Sequence, residues 1–272
     1  MMKKIFSIPH CLILLIAISF CNGCVRERDT DTSMASELTK HEFLFHDVVD
    51  LADDAATKKT GEKLSNYKTR GYCATLTHNN TTNPRSIVID FGTSNCMCND
   101  GRERRGKILV SYTDNYSDSG SVHNITFDNY HVDGFRLMGS NDIFNNGKNG
   151  AGQPFYTSTI AGKLLDPNQI DTLFYESERT ITWVQGSNTI VYGDDVYEIS
   201  GNGSGRNALR TYYAMTITQP LIKDVLGCRF FNKGRIEMQP QGKALRTIDF
   251  GDGSCDNDAT VTINNKVFNI KL

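Results

Sequence analysis

Ile89-Asp90-Phe91-Gly92-Thr93-Ser94-Asn95-Cys96 returns later in the chain as Ile248-Asp249-Phe250-Gly251-Asp252-Gly253-Ser254-Cys255, with five of the eight residues unchanged. Each copy begins with apolar residues at alternating positions and continues into glycine, serine and asparagine. This pattern is typical of a strand that runs into a turn. We expect the phenylalanine to fill the core, the aspartate to accept turn hydrogen bonds and the glycine to adopt a positive φ. The repetition predicts two related halves.

A cysteine precedes each copy of the segment: Cys73 lies 23 residues before Cys96, and Cys228 lies 27 residues before Cys255. The parallel spacing predicts the disulfides Cys73–Cys96 and Cys228–Cys255, although four cysteines can pair in three ways. Cys98 is then left as a free thiol. Two alternatives stay open, because Cys98 could pair with Cys73, or with Cys96 in a redox-active Cys-x-Cys motif.

The pattern of apolar residues has period two over most of the chain from about residue 70 onward. Ile108, Val110 and Tyr112 alternate with more polar neighbours, as expected for half-buried antiparallel strands with one wet face. Near the end, Asn264-Asn265 separates two such runs, and asparagine tolerates the positive φ of a two-residue hairpin turn. The sequence predicts an all-β fold with one N-terminal helix, most simply an antiparallel β-sandwich.

The one predicted helix covers residues 37–62. Thr39 and Glu42 have the spacing of a capping box, and the apolar residues that follow recur on one face. After the helix we divide the chain into a first β half (residues 63–145), a connecting β region (146–208) and a second β half (209–272).

The N-terminus reads as a bacterial lipoprotein signal over residues 1–23. Lys3 and Lys4 precede an apolar run that is too short to span a bilayer, and Cys21-Asn22-Gly23-Cys24 follows. Gly23 before Cys24 suits a lipobox, so Cys24 is the predicted lipidation site and residues 24–36 the anchor and polar tether. The alternative is an ordinary secretory peptide that leaves Cys24 as a thiol. Both alternatives place the chain outside the cytoplasm.

The lipobox and the duplicated Asp-Phe-Gly…Cys turn together resemble those of the uncharacterised β-rich lipoproteins of Bacteroidota-type bacteria. The resemblance covers most of residues 70–272 and implies a lipid-anchored protein of the outer membrane, held through Cys24. It implies no known activity.

Composition excludes two classes of protein. The 272 residues are 39% hydrophobic and 22% charged, which is too apolar for a disordered chain. The formal net charge is −2, and removal of residues 1–23 leaves 27 basic against 31 acidic residues. A nucleic-acid binder that relies on overall charge is therefore not expected.

Two groups of charged residues are candidate binding sites. Clustered carboxylates can supply the oxygen ligands of calcium, which makes a weak Ca²⁺ site in the second copy of the turn the one cofactor hypothesis. The basic cluster of Arg102, Arg104 and Arg105 lies in a predicted loop, where it could bind acidic glycans or lipid headgroups; a solvated loop is the alternative. The candidate calcium ligands are Asp249, Asp252, Asp256 and Asp258.

Trp183, the only tryptophan, is a candidate for stacking on a sugar ring, and the tyrosines near it in sequence that could join it are Tyr192, Tyr197, Tyr212 and Tyr213. Core packing is the alternative, since Trp183 shares one strand face with Ile181. The tetrad Tyr192-Gly193-Asp194-Asp195 imitates a metal-binding polymerase hairpin, but an ordinary turn explains it.

These features favour a non-enzymatic, lipid-anchored binding or structural module whose ligand is a glycan or another envelope protein. The alternative is a secreted polysaccharide hydrolase, because paired carboxylates are abundant but cannot be located from the sequence.

Overall fold

The computed structural model describes residues 29–57, 73–98, 100–115, 117–168, 172–189, 194–225 and 228–272. These ranges contain one helix and 14 strands, which confirms the all-β class with one N-terminal helix. Among the described residues, no helix is both long enough and apolar enough to cross a membrane. The bounds are α1 Ser33–Ala56, β1 Thr75–Asn79, β2 Arg85–Asp90, β3 Cys96–Met97, β4 Glu103–Tyr112, β5 Val122–Val132, β6 Phe135–Lys148, β7 Pro154–Leu165, β8 Thr172–Gln185, β9 Val196–Arg206, β10 Tyr212–Asp224, β11 Lys233–Pro240, β12 Arg246–Asp252, β13 Asp258–Ile263 and β14 Lys266–Lys271.

All the strands belong to one antiparallel sheet. From β4 to β14 each strand pairs with the next along the chain; β1 pairs with β2, and β2 and the short β3 both pair with β4. The predicted hairpin turn between β13 and β14 is confirmed, since Asn264 and Asn265 have φ of 51° and 63°, as a two-residue primed turn requires.

One face of this sheet packs on α1. A helix lying on a flat surface buries a single stripe, whereas α1 buries neighbouring residues that point in different directions. Leu44 belongs to a core cluster with β1 to β8, and the adjacent Phe45 belongs to a second cluster with β7 to β14. The helix therefore lies between two parts of the same sheet and contributes to the core of both.

The sheet curls far enough for distant segments to meet beside the helix. Arg229, after β10, donates a hydrogen bond of 2.8 Å to the carbonyl oxygen of Asp100, which precedes β4. Close approach of α1 to the middle of the sheet depends on Gly162 of β7, because a Cβ there would lie 2.3 Å from the Phe45 ring.

The repeated segment forms the same turn twice, with the roles expected of its residues. Gly92 and Gly251 have φ of 82° and 99°, and their N–H groups donate to the carboxylates of Asp90 and Asp249 at 2.8 and 3.0 Å. The phenylalanine of each copy is at most 3% exposed in its core cluster. The repetition is therefore structural.

Both predicted disulfides, Cys73–Cys96 and Cys228–Cys255, are confirmed. Cys98 is a free thiol and is buried. Burial raises its pKa, which lowers the thiolate fraction and hence the nucleophilicity of the sulfur. The alternative pairings of Cys98 are wrong.

The start predicted for the helix is wrong. It begins at Ser33 rather than residue 37, and Thr32 at its N-cap makes no side-chain cap hydrogen bond. Thr39 and Glu42 lie inside the helix and are buried, so they are not a capping box. The last helical residue is Ala56. The end predicted at residue 62 lies outside the described residues, because the first described range ends at residue 57.

Part of the predicted tether (residues 24–36) is folded. Asp29 forms an ion pair of 2.8 Å with the buried Arg246, and Met34 is fully buried in α1. Paired charges and buried apolar surface hold this segment on the body of the protein, so residues 29–36 are not a tether. Residues 24–28 lie outside the described residues.

The predicted division into halves has no matching break in the sheet. The boundary at residue 145 falls inside β6, and residues 146–208 supply central strands of the same sheet.

A buried ion pair joins the helix to the middle of the sheet. The Arg179 guanidinium of β8 and the hydroxyl of Tyr175 both donate to the Glu42 carboxylate of α1. The side chains of Arg179 and Glu42 are 3% and 5% exposed. Each charge would be costly to bury alone, so the pair specifies how α1 lies against β8.

We predict that Arg179→Met lowers the free energy of unfolding by about 3–5 kcal/mol, because it leaves a buried carboxylate without its cation. The matched control is Arg235→Met, which removes a pair with Asp249 whose side chains are 39% and 32% exposed; we expect a loss below about 1 kcal/mol. Urea unfolding measures both. Equal losses in the two variants would contradict the role given to the buried pair.

Candidate functional site

A cavity of about 280 Å³ lies between the C-terminal part of α1 and the inner face of β5 to β9. We call it the α1 cavity. It arises because the inward positions of adjacent strands face the helix across a gap that no side chain fills. The residues that give the cavity its chemistry are Asp50, Asp53, Tyr156, Trp183, Asp195 and Tyr197.

Aromatic rings form one wall of the cavity. Trp183 and Tyr197 are register partners on β8 and β9, and their rings stack with centroids 5.6 Å apart. Tyr156 comes from β7 and faces the same space, opposite Ile181 in the register. The expectation that Trp183 and Ile181 share a face is confirmed, and that face borders the cavity.

Asp195 is held at the edge of this aromatic wall, just before β9. Its carboxylate accepts a hydrogen bond of 3.1 Å from Trp183 Nε1, and its residue is only 3% exposed. Burial raises the pKa of Asp195 to about 6; the negative charge of Asp194 acts in the same direction and the Trp183 hydrogen bond acts against it. Carboxyls with raised pKa values in a cleft are candidate functional groups.

Two further carboxylates, Asp50 and Asp53, reach the cavity from α1. Burial raises the pKa of Tyr156 to about 12, with added repulsion from Asp53 and Asp195. The described residues that line the cavity include no lysine or arginine. The cavity is therefore lined by aromatic rings and Asp195 on the strand side, and by Asp50 and Asp53 on the helix side. Such a surface can stack on a ring while accepting hydrogen bonds from hydroxyl or amino groups.

The predicted basic patch is wrong as a surface site. Arg102 and Arg104 are 4% and 0% exposed. Asp47 of α1 lies 3.4 Å from the first and 2.8 Å from the second, and Asp100 lies 2.6 Å from Arg104. Arg104 and Arg105 lie on β4 rather than in a loop, and of the three arginines only Arg105 is partly exposed. This cluster anchors the helix.

The four acidic residues of the second turn do not converge on one point. Asp249 is paired with Arg235 at 2.6 Å and Asp258 with Lys271, while the other two accept backbone N–H bonds within their own turns. Across the described part of the chain, no group of three or more His, Cys, Asp or Glu side chains is placed to hold a metal ion. This geometry does not support the calcium site predicted at Asp249, Asp252, Asp256 and Asp258.

Cys24 lies outside the described residues. Of the candidate ligand-binding residues, the structure places Trp183 alone at the α1 cavity. Sequence reasoning missed Asp53 and interpreted Asp195 as part of a plain turn. Asp195 directly precedes a strand and Tyr197 lies within it. This placement was the one available signal for the site.

Comparison with protein families, curated proteins and solved structures found no match for this chain.

We predict a specific pH dependence from Asp195. Because its folded pKa of about 6 exceeds the ordinary value of 3.8, the native state binds more protons than the unfolded state between these values. The free energy of unfolding therefore falls as pH rises through that window, by up to about 3 kcal/mol. Asp195→Asn removes this contribution.

Urea unfolding of the wild type and Asp195→Asn from pH 4 to 7 tests this, since all other titrating groups are common to both proteins. Trp183→Phe is the second variant: it removes the hydrogen bond that lowers the pKa, so the window should extend to higher pH. Parallel stability curves for wild type and Asp195→Asn would contradict the burial of this carboxylate.

Proposed function

We propose that the protein is a lipid-anchored binding protein of the bacterial outer membrane, and that the α1 cavity binds one sugar unit of an envelope glycan. The observation that carries this proposal is the stacked Trp183–Tyr197 pair beside the Asp195 carboxylate. Aromatic faces pack on the apolar faces of sugar rings, and carboxylates accept hydrogen bonds from sugar hydroxyls. A volume of about 280 Å³ is at the lower end of small-molecule sites and suits a single ring.

The lipid anchor at Cys24 is supported by the lipobox and by the cysteine chemistry of the fold. Two disulfides, confirmed above, are typical of an oxidising compartment outside the cytoplasm. Asp29 is already paired with the folded body. The five-residue step from Cys24 to Asp29 can span at most about 17 Å, so the lipid would hold the domain close to the membrane surface.

We predict that Cys24→Ala abolishes incorporation of a palmitate analogue and releases the protein from the membrane fraction. Cys21→Ala is the matched control, because it changes the other cysteine of the same segment and leaves Gly23-Cys24 intact. Metabolic labelling and fractionation measure both variants. The anchor at Cys24 would be contradicted if the Cys24→Ala protein still carried the lipid. It would also be contradicted if the Cys21→Ala protein lost the lipid.

A hydrolase is the second candidate, and one observation favours it. Asp195, with a pKa of about 6, shares the cavity with Asp53. A carboxylic acid with a raised pKa beside a second carboxylate is the arrangement that glycosidases use. On this alternative, Asp195 would protonate the leaving glycosidic oxygen, and the Asp53 carboxylate would take a proton from the water that attacks the sugar carbon.

The experiment is a glycan and envelope-polysaccharide array with the full chain in detergent, run with calcium and with chelator. We expect selective binding that does not depend on calcium. Trp183→Ala should weaken it by about tenfold or more, because the stacking surface is lost. Phe144→Ala, a large residue that is 44% exposed and does not line the cavity, is the matched control.

The two candidates differ in what happens to the bound glycan. If wild type cleaves the selected glycan and Asp195→Asn binds without cleaving it, the hydrolase is correct. Binding that Trp183→Ala and Phe144→Ala affect equally would contradict the cavity as the site. If no glycan on the array binds, the glycan ligand is contradicted. The proposed ligand is then an envelope protein, and affinity capture is the next step.

A further inference from the structure

A row of four side chains crosses the outer face of the sheet, one on each of four neighbouring strands. The register pairs Lys163 of β7 with Phe174 of β8, Phe174 with Arg206 of β9, and Arg206 with Tyr212 of β10. We call these four residues the outer ladder. Cations and aromatic rings alternate along it.

Cation–π contacts hold the ladder in order. Lys163 Nζ lies 5.2 Å and Arg206 Cζ lies 4.3 Å from the centre of the Phe174 ring, and Arg206 is also 5.9 Å from the ring of Tyr212. These contacts fix the positions of the two positive charges without neutralising them.

The ladder is open to solvent and keeps its charge. Lys163 is exposed, and Tyr212 has 58% of its surface exposed. Among the described residues, neither Lys163 nor Arg206 is ion-paired with a carboxylate. The next cation along the chain, Arg210, is exposed in the turn before β10. The two ladder cations are therefore available to an anionic ligand.

Beside the ladder runs a groove of about 310 Å³. The cross-strand row that borders it carries small side chains at Ala161 and Ser204, with one carboxylate, Glu176, between them. Because strands are about 4.8 Å apart, a row over four strands extends about 14 Å. The surface is an elongated trough that suits a chain, with rings and cations along one side.

We propose that the outer ladder binds an acidic glycan chain, whose uronic-acid carboxylates pair with Lys163 and Arg206 while a sugar ring stacks on Tyr212. Ser204 and Glu176 lie where they accept hydrogen bonds from the sugar hydroxyls. The site is on the face of the sheet opposite the α1 cavity, so it stands independently of the function proposed for that cavity.

The charge distribution favours a glycan over a nucleic acid. A phosphate backbone carries closely spaced charges and needs a broad basic footprint, whereas this groove has two free ladder cations and the Glu176 carboxylate beside them. The whole chain has a net charge of −2. A hydroxyl-rich chain with isolated carboxylates matches this surface better.

Binding of the full chain in detergent to oligogalacturonate tests the proposal, because the methyl ester of the same oligomer keeps the sugars and removes the charge. We expect the ester to bind about tenfold or more weakly, and Lys163→Gln with Arg206→Gln to weaken binding of the acid to a similar extent. Tyr212→Ala should weaken it by about fivefold. Lys266→Gln, an exposed cation of β14, is the matched control and should stay within about twofold of wild type.

Equal affinity for acid and ester, or equal effects of the ladder variants and Lys266→Gln, would overturn the proposal. An oligothymidylate of equal length that binds as tightly as the oligogalacturonate would show a polyanion site instead of a glycan site and would also overturn it. The proposal would also be overturned if none of the acidic glycans bound, that is, oligogalacturonate, alginate oligomers and heparin fragments. Thermal unfolding of each variant confirms that its fold is intact.

Discussion

Burial of α1 against the inner face of a single sheet determines how this chain folds. A long antiparallel sheet with one apolar face must cover that face, and here the cover is a helix that the sheet curls around. Leu44 and Phe45 enter different core clusters, so one helix serves both parts of the sheet. Two carboxylates on α1, the buried Glu42 and the half-buried Asp47, then specify its position through Arg179 and Arg104.

The candidate site follows from this arrangement. The inward side chains of β5 to β9 and those of α1 do not fill the space between helix and sheet, and this space is the α1 cavity. The strands supply rings at inward positions, whereas the helix supplies Asp50 and Asp53. The outer ladder lies on the opposite face of the sheet. That face is exposed to solvent, and cross-strand neighbours on it lie in straight rows.

Local patterns were sufficient to predict the fold class, the last hairpin and both disulfides. Each of these predictions rests on a short-range pattern. The patterns are the alternation of apolar residues, the Asn-Asn turn and a local segment that occurs twice. The predicted start of the helix failed because distant residues hold this segment: Arg246 pairs with Asp29, and Met34 packs in the second core cluster. Glu42 had the spacing of a cap, yet its partner Arg179 is 137 residues distant.

The binding residues illustrate the same limit. Arg102 and Arg104 looked like a surface cluster because their partner Asp47 lies on a separate element, 57 residues before Arg104. Asp195 looked like an ordinary turn residue, since its burial depends on Trp183 and on the helix that closes the cavity. To predict the outer ladder, one must know the register of four strands. That register could not be deduced from the single sequence.

Hydrogen exchange of the α1 amides measures whether this helix belongs to the global core of the protein. If α1 is the core around which the sheet curls, the amides of residues 44–52 exchange only through global unfolding, with the same free energy as the amides of the central strands. If instead these amides exchange through a local opening well below the global free energy of unfolding, while β7 and β8 stay protected, α1 can detach from a sheet that stays folded and does not organise the fold.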